Sequence, residues 1–197
     1  HFDFEYRDKL CAPWYSGLAQ GLGISLLCRA YIETNDNKYL KAIEKAWISM
    51  EHTVDKGGVI YKDSDSNFWI EEYIVKPPTH ILNGFIWALF GVYDYWKLLN
   101  NKDANLLFEK CVKTLKKNIR TYDTNIWSLY EHSGLKLDMY ASSFYHDLHI
   151  VQLKILSNLT KDDLFLKISL KWSKYKNKKL NKSLALLYKV VFKIINY

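Results

Sequence analysis

Three stretches of the sequence set groups capable of acid–base chemistry side by side. The first is Asn67-Phe68-Trp69-Ile70-Glu71-Glu72-Tyr73, followed by Pro77-Pro78 and by Leu82-Asn83-Gly84, which opens a long apolar run to Asp94. It places two carboxylates and a phenol among aromatic rings, just ahead of a helix. An apolar, aromatic setting raises a Glu carboxyl toward the pKa that a general acid or base needs. On a regular strand, Trp69, Glu71 and Tyr73 would face one way and Ile70 and Glu72 the other. Rings, acids and a helix start point to a sugar site. A surface hairpin with ordinary charges is the plainer reading of these residues alone.

The second stretch is Trp14-Tyr15-Ser16-Gly17-Leu18-Ala19-Gln20-Gly21. Ser16 and Gln20 are four apart and share a helix face, where a polar pair can meet a sugar hydroxyl. The alternative is that Ser16 caps the helix and Gln20 is exposed. The third is Tyr145-His146-Asp147-Leu148-His149 with Gln152. Tyr145, His149 and Gln152 make a polar stripe on a helix whose other face, Ile150, Leu153 and Leu156, is apolar. Two histidines could also hint at zinc, but the helix-borne Glu base and a third ligand are both missing, so the expectation is a buried hydrogen-bonded pair and no metal. Leu129-Tyr130-Glu131-His132, after Tyr122-Asp123-Thr124, adds a further phenol and imidazole. No glycine loop for phosphates, nucleophile elbow or nucleotide fingerprint is present.

The elements that must position these groups are mainly helices. Periodicity predicts helices over about 15–33, 37–51, 80–99, 103–118, 142–157, 162–175 and 182–196. Asp36 and Thr79 are candidate caps, and Asp103 falls at a helix start. In the first helix Leu18, Leu22 and Leu26 form the apolar stripe, while Gly17 and Gly21 permit close backbone approach. Val59-Ile60-Tyr61 and Phe68-Trp69-Ile70, separated by Asp63-Ser64-Asp65-Ser66, read as a hairpin within 58–73. Residues 121–130 read as extended. Trp14, Leu82 and Tyr145 each stand near the head of a first helix, 68 and 63 residues apart. Three helical hairpins of similar length predict an α/α barrel, a toroid of paired helices, complete or partial, with the connecting loops rimming one end.

With 197 residues and 49% hydrophobic content, the chain is long enough for one cored domain. It starts at His1 rather than Met, which leads us to expect an upstream part. No stretch is apolar enough to span a membrane. Cys11, Cys28 and Cys111 fit no metal spacing and read as free, mostly buried thiols. The net charge is +7, but nine lysines and no acid lie from Leu164 onward, and removing them leaves −2 for residues 1–163. Basicity thus belongs to the tail and says nothing of a pocket, and no nucleic-acid partner is expected. In 182–196, Leu184, Leu187, Tyr188, Val191, Phe192 and Ile195 form one stripe beside Lys182, Lys189 and Lys193. Packing on the body or on a partner is the main reading of this helix, and binding to a membrane surface the secondary one.

Together the strings resemble the C-terminal helical domain of the D-glucuronyl C5-epimerase family. In order they are Trp-Tyr-Ser-x-x-Ala-Gln-Gly at 14–21, Arg29-Ala30-Tyr31, Trp-x-Glu-Glu-Tyr at 69–73, Leu-Asn-Gly-Phe at 82–85, Gly91-x-Tyr93-Asp94, Tyr122-Asp123-Thr124 and Tyr-His-x-x-His at 145–149. The resemblance covers roughly residues 11–176 and implies an α/α catalytic domain over 1–176, preceded in the family by β-rich regions. Residues 177–197 would be a basic amphipathic helix packed on it. The activity implied is an isomerase that inverts C5 of a hexuronic acid within a heparan sulfate- or heparosan-like polysaccharide, D-glucuronate to L-iduronate. Catalytic roles are implied for Glu72, Tyr145 and Tyr130. Trp14, Tyr15, Gln20, Tyr73, Asn83, His132, His146 and His149 are the expected substrate contacts. The family's Arg three residues after the second Tyr is Ser133 here, and its Pro after Glu-Glu-Tyr is Ile74.

The residue chemistry agrees with this. The C5 hydrogen is α to a carboxylate, so its removal builds a dianion that must be neutralised, with a base on one ring face and an acid on the other. Glu72 and Tyr145 suit those places; as a base the phenol needs a depressed pKa or a relay, which His146 or His149 beside it would supply. Without the Arg, His132, His80, Arg29 or Lys76 must meet the carboxylate. No cofactor is needed. The partner expected is an acidic polysaccharide, and a homodimer is compatible with the chain. The compartment expected is the cytoplasm for a microbial chain and the Golgi lumen for an animal-like one. The rivals are a polysaccharide lyase, which starts with the same proton abstraction, and a non-catalytic glycan-binding protein of the same fold.

Overall fold

A computed structural model describes residues 2–196, and it is mainly helical. The chain forms two compact units. One takes in everything up to His80 together with Gly84–Thr114, the other Ile81–Asn83 together with Leu115 onward.

The first unit opens with a hairpin, β1 (Phe4–Tyr6) and β2 (Asp8–Leu10), antiparallel with Phe4 opposite Leu10 and Tyr6 opposite Asp8. Helix α1 (Gly17–Thr34) starts where Ser16 Oγ accepts the Ala19 N–H, and ends at Asn35 in a left-handed conformation (φ 53°). Asp36 caps α2 (Asn37–Glu51) through the Lys38 N–H, as the sequence predicts. Strands β3 (Ile60–Lys62) and β4 (Phe68–Ile70) pair antiparallel, Ile60 opposite Ile70. Helix α3 runs Leu82–Leu99 and α4 Lys102–Asn118.

The expected leucine stripe of α1 is not its inner face. Gly17, Gly21, Ile24 and Cys28 are buried, whereas Leu22 and Leu26 are exposed. A Cβ at Gly21 would strike the backbone of Ala88, and one at Gly91 the backbone of Gly21. The two helices therefore touch backbone to backbone, and only the face with the smallest residues allows it. Asp94 of α3 secures the contact from the side by accepting from Ser25 and Arg29 of α1. On the far side, Trp47 of α2 stacks on Tyr95 of α3 at 4.4 Å. Tyr93 and Trp96 of α3 pack on Phe108 of α4.

In the second unit, a short 3-10 turn at Ile119–Tyr122 leads into a tight turn in which Thr124 and Trp127 bond to each other, rather than into the continuous extended segment expected. Isolated bridges join Asp123 to Ser128 and Leu129 to Tyr140. Helices α5 (Ser143–Thr160) and α6 (Asp163–Lys176) form a hairpin, capped by Ser142 and Asp162. Their shared core contains Ile150, Leu153, Leu156, Phe165, Ile168 and Trp172. Helix α7 (Lys179–Asn196) follows. Its buried residues are Asn181, Ala185 and Phe192, and Tyr188 stacks on Tyr140 at 4.7 Å. Of the apolar stripe read from the sequence, Leu187, Tyr188, Val191 and Ile195 are all exposed.

All three cysteines are free. Cys11 is exposed, and Cys28 and Cys111 are buried. Burial, helped by the nearby Asp94 carboxylate, pushes the Cys28 thiol up to about 12, and burial alone raises Cys111 further. Only the thiolate reacts with disulfide reagents. Titration of the native protein with such a reagent is therefore expected to give one fast equivalent, at Cys11, with two more released on unfolding. Fast modification at Cys28 or Cys111 would contradict the packing of α1 or α4.

Candidate active site

Strand pairing stops at Ile70, with one last bond from the Glu71 N–H to the Val59 carbonyl (2.9 Å). The alternation expected through residue 73 therefore fails, and Glu71 and Glu72 are both buried, 2% and 7% exposed. Their tasks differ. Glu71 accepts the His80 N–H on Oε2 (3.1 Å) and pairs with His80 Nδ1 on Oε1, while its carbonyl accepts the Gly17 N–H (2.8 Å). His80 stacks on Trp69 at 4.3 Å. Glu71 is thus the brace of the 71–80 loop.

Glu72 lies against Gly84, in the first turn of α3. A Cβ at Gly84 would run into Glu72 Oε2 and stand 2.9 Å from the Glu72 Cβ. Glycine is what makes room for this carboxylate, and the first turn of a helix is an electropositive place for it. Thr79 does not cap α3. The helix begins three residues later, and the buried Thr79 hydroxyl has no hydrogen-bond partner among the described residues.

Tyr73, next to Glu72, is walled by rings. Its centroid lies 4.5 Å from Tyr6, 5.4 Å from Phe4 and 5.9 Å from Trp14. Two of these come from β1, where Phe4 and Tyr6 alternate as strand residues do, a signal not singled out in the sequence. Tyr15 is exposed. Gln20 gives its amide to Ala46 and Ser49, tying α1 to α2.

In the second unit, Tyr145 in the first turn of α5 meets Tyr130, ring centroids 4.8 Å apart and tilted 55°. Backbone bonds fix Tyr130: its N–H to the Met139 carbonyl (2.7 Å), its carbonyl to the Leu82 N–H (3.0 Å). The latter satisfies an otherwise orphan donor at the head of α3. Also on α5, His146 and His149 are fully buried. His146 Nε2 faces the Trp172 carbonyl at 3.1 Å, so it carries the hydrogen. Its bare Nδ1 then accepts from the Ser128 N–H (3.2 Å) and hydroxyl (2.8 Å), and the Ser128 oxygen accepts from His149 Nδ1 (3.0 Å). This chain of donors closes only when His146 is neutral. Burial pushes His146 down to about 4, and burial plus its neighbour His146 pushes His149 down to about 3. Both imidazoles are therefore neutral near neutral pH. Ser128 was not singled out in the sequence.

Gln152 donates to the Asn83 carbonyl at 2.9 Å. His149 Nε2, Gln152 Oε1 and Asn83 Oδ1 are buried acceptors without a donor among the described residues, which a hydroxyl-bearing ligand or water would satisfy. His132 donates to Thr121 Oγ1 (2.8 Å), whose own hydrogen goes to the Asn118 carbonyl, and its ring packs on Tyr122. Ser133 is buried. Of the four cations named as carboxylate partners, His80 is held by Glu71, Arg29 by Asp94 and His132 by Thr121. Lys76 is exposed and lines a cavity of about 300 Å³ with Tyr61 and Glu71. Among the described residues no cluster of three or more His, Cys, Asp or Glu is arranged to hold a metal ion.

Comparison with known proteins adds the family. A family model described as D-glucuronyl C5-epimerase C-terminus matches residues 1–174. The D-glucuronyl C5-epimerase of Caenorhabditis elegans is 33% identical over 184 residues, covering 85% of this chain and 30% of that protein. An uncharacterized protein of Methanocaldococcus jannaschii is 32% identical over 176 residues, covering 87% of this chain and 56% of that one. The chain therefore spans well under two thirds of either relative.

Proposed function

The chain belongs to the D-glucuronyl C5-epimerase C-terminus family, and we propose that it is the helical catalytic part of a uronosyl C5-epimerase acting on an acidic polysaccharide, turning D-glucuronate into L-iduronate. The observation that carries this reading is the placement of Glu72, a buried carboxylate set against the glycine in the first turn of α3. In this reading Glu72 and Tyr145 are the acid–base groups of the inversion, one taking the C5 proton as the other returns one. Tyr130, set against Tyr145, shares the developing charge through its phenol. The ring wall of Trp14 and Tyr73 gives a pyranose an apolar face to stack on. Lys76 is the remaining cation for the substrate carboxylate.

Ser133 favours a second reading, a glycan-binding protein without turnover, because no guanidinium stands where the family carries one. One experiment separates the readings. The chain is incubated with a glucuronate-containing polymer in heavy water. Deuterium at C5 with both epimers present supports the epimerase. An unsaturated product absorbing in the near ultraviolet replaces it with a lyase. Polymer binding with no exchange leaves the binding protein.

The fit of Glu72 on Gly84 carries a prediction of its own. Gly84→Ala inserts a methyl that Glu72 must yield to. Displacement by about 1 Å costs on the order of 10²-fold in rate. Alanine is the better helix former by about 1 kcal/mol, so the melting temperature should hold while kcat falls. Unchanged turnover in this variant would remove Glu72 from the chemistry.

A further inference from the structure

We propose that α7 lays its outward face on an anionic lipid surface. The helix packs on the rest of the second unit through Asn181, Ala185 and Phe192, which fall on one narrow side, and through Tyr188, whose ring stacks on Tyr140. At about 3.6 residues per turn, Leu180, Leu187, Val190, Val191, Ile194 and Ile195 project together on another arc. All six are exposed, Ile194 at 76% and Leu180 at 69%. Lys179, Lys193 and Lys182, also exposed, follow on one side of that arc, Lys179 bordering it. A soluble helix turns such an arc inward. Here the inward side is already taken by other residues, so the apolar arc is left for something outside the fold.

Charge selects the occupant. From Leu164 to the end of the chain there are nine lysines and no acid. A second copy meeting α7 with α7 would bring Lys179, Lys182, Lys189 and Lys193 of each helix near those of the other with no carboxylate on either helix to answer them. A surface of anionic headgroups over an apolar interior matches both features, with the lysine stems lying along the boundary and their ammonium groups in the headgroup layer. No described helix is long and apolar enough to cross a membrane, so this is contact in the plane of the surface. The family model ends at residue 174, so the helix lies beyond the matched part and the inference does not depend on the catalytic reading.

The test is co-sedimentation of the whole chain with lipid vesicles, phosphatidylcholine alone or with about a third phosphatidylglycerol, the lipid that supplies the anionic charge. The chain is expected to pellet with the anionic vesicles and to be released as salt rises from about 0.1 M to about 1 M, where the Debye length shrinks to about 3 Å. Leu187→Ser with Ile194→Ser, and separately Lys179→Gln with Lys182→Gln and Lys193→Gln, should each weaken binding about tenfold or more. Asn181, Ala185, Tyr188 and Phe192 are untouched, so the circular dichroism should not change. A wild-type chain left in the supernatant at low salt overturns the proposal. So does binding indifferent to both variants, or a dimer in the ultracentrifuge that the double serine variant splits.

Discussion

Glu72→Gln and Tyr145→Phe are each expected to lower C5 inversion by about 10²–10⁴-fold, the contribution of a positioned acid or base. Both changes keep shape. Glutamine fills the same space on Gly84, and phenylalanine keeps the ring contacts of Tyr145 with Tyr130 (4.8 Å) and Phe144 (5.3 Å). Loss of function should therefore come without loss of fold. Exchange separates the roles further. Two groups on opposite ring faces each see the hydrogen of only one epimer. Each single variant should then still exchange the epimer facing its surviving group, while no longer converting it to the other. Glucuronate and iduronate polymers, tested separately in heavy water, should give opposite patterns in the two variants. Wild-type inversion in both would reject the assignments, and identical patterns would reject a mechanism with one group on each face.

Local rules in the sequence account for most of the helices. The caps at Ser16, Asp36 and Asp162 are short-range hydrogen bonds between neighbours, so residue type and position reveal them. Which face of a helix is buried is not local. The leucines of α1 satisfy the apolar period better than Gly17 and Gly21, yet the glycines face inward because Ala88 and Gly91 of α3 allow backbone contact there. Several of the strings that signalled the family prove to be parts of this contact. Arg29 and Asp94 bind each other, and Gly21 meets Gly91. The same reasoning applies to the site. That one of two adjacent glutamates is a brace depends on His80, nine residues on, and on the end of the strand at Ile70. Tyr130 and Tyr145 were legible as separate phenols, but their contact was not. Ser128 bonds to histidines 18 and 21 residues away, a pairing that no window of sequence contains.

The same histidine pair makes stability depend steeply on acid. In the unfolded chain a histidine titrates near 6.5. Folded, burial holds His146 to about 4 and His149 to about 3. Between those values the unfolded state binds protons that the folded state refuses, so the stability is fully present above about pH 6.5 and is lost as pH falls below it. The loss approaches about 1.4 kcal/mol per pH unit for each histidine, or about 3–4 kcal/mol for the pair by pH 5. Against total stabilities of about 5–15 kcal/mol this is a substantial share. Charges near His146 oppose one another, Asp147 and Asp123 against Lys176, and do not reverse the sign. Urea midpoints should therefore drop sharply between pH 7 and 5. In His149→Gln, whose amide can still donate to Ser128, the slope should be about half. A midpoint constant over that range, or an equal slope in the variant, would mean that the Ser128 chain admits a charged imidazole. The donor order from Trp172 to His149 would then be wrong.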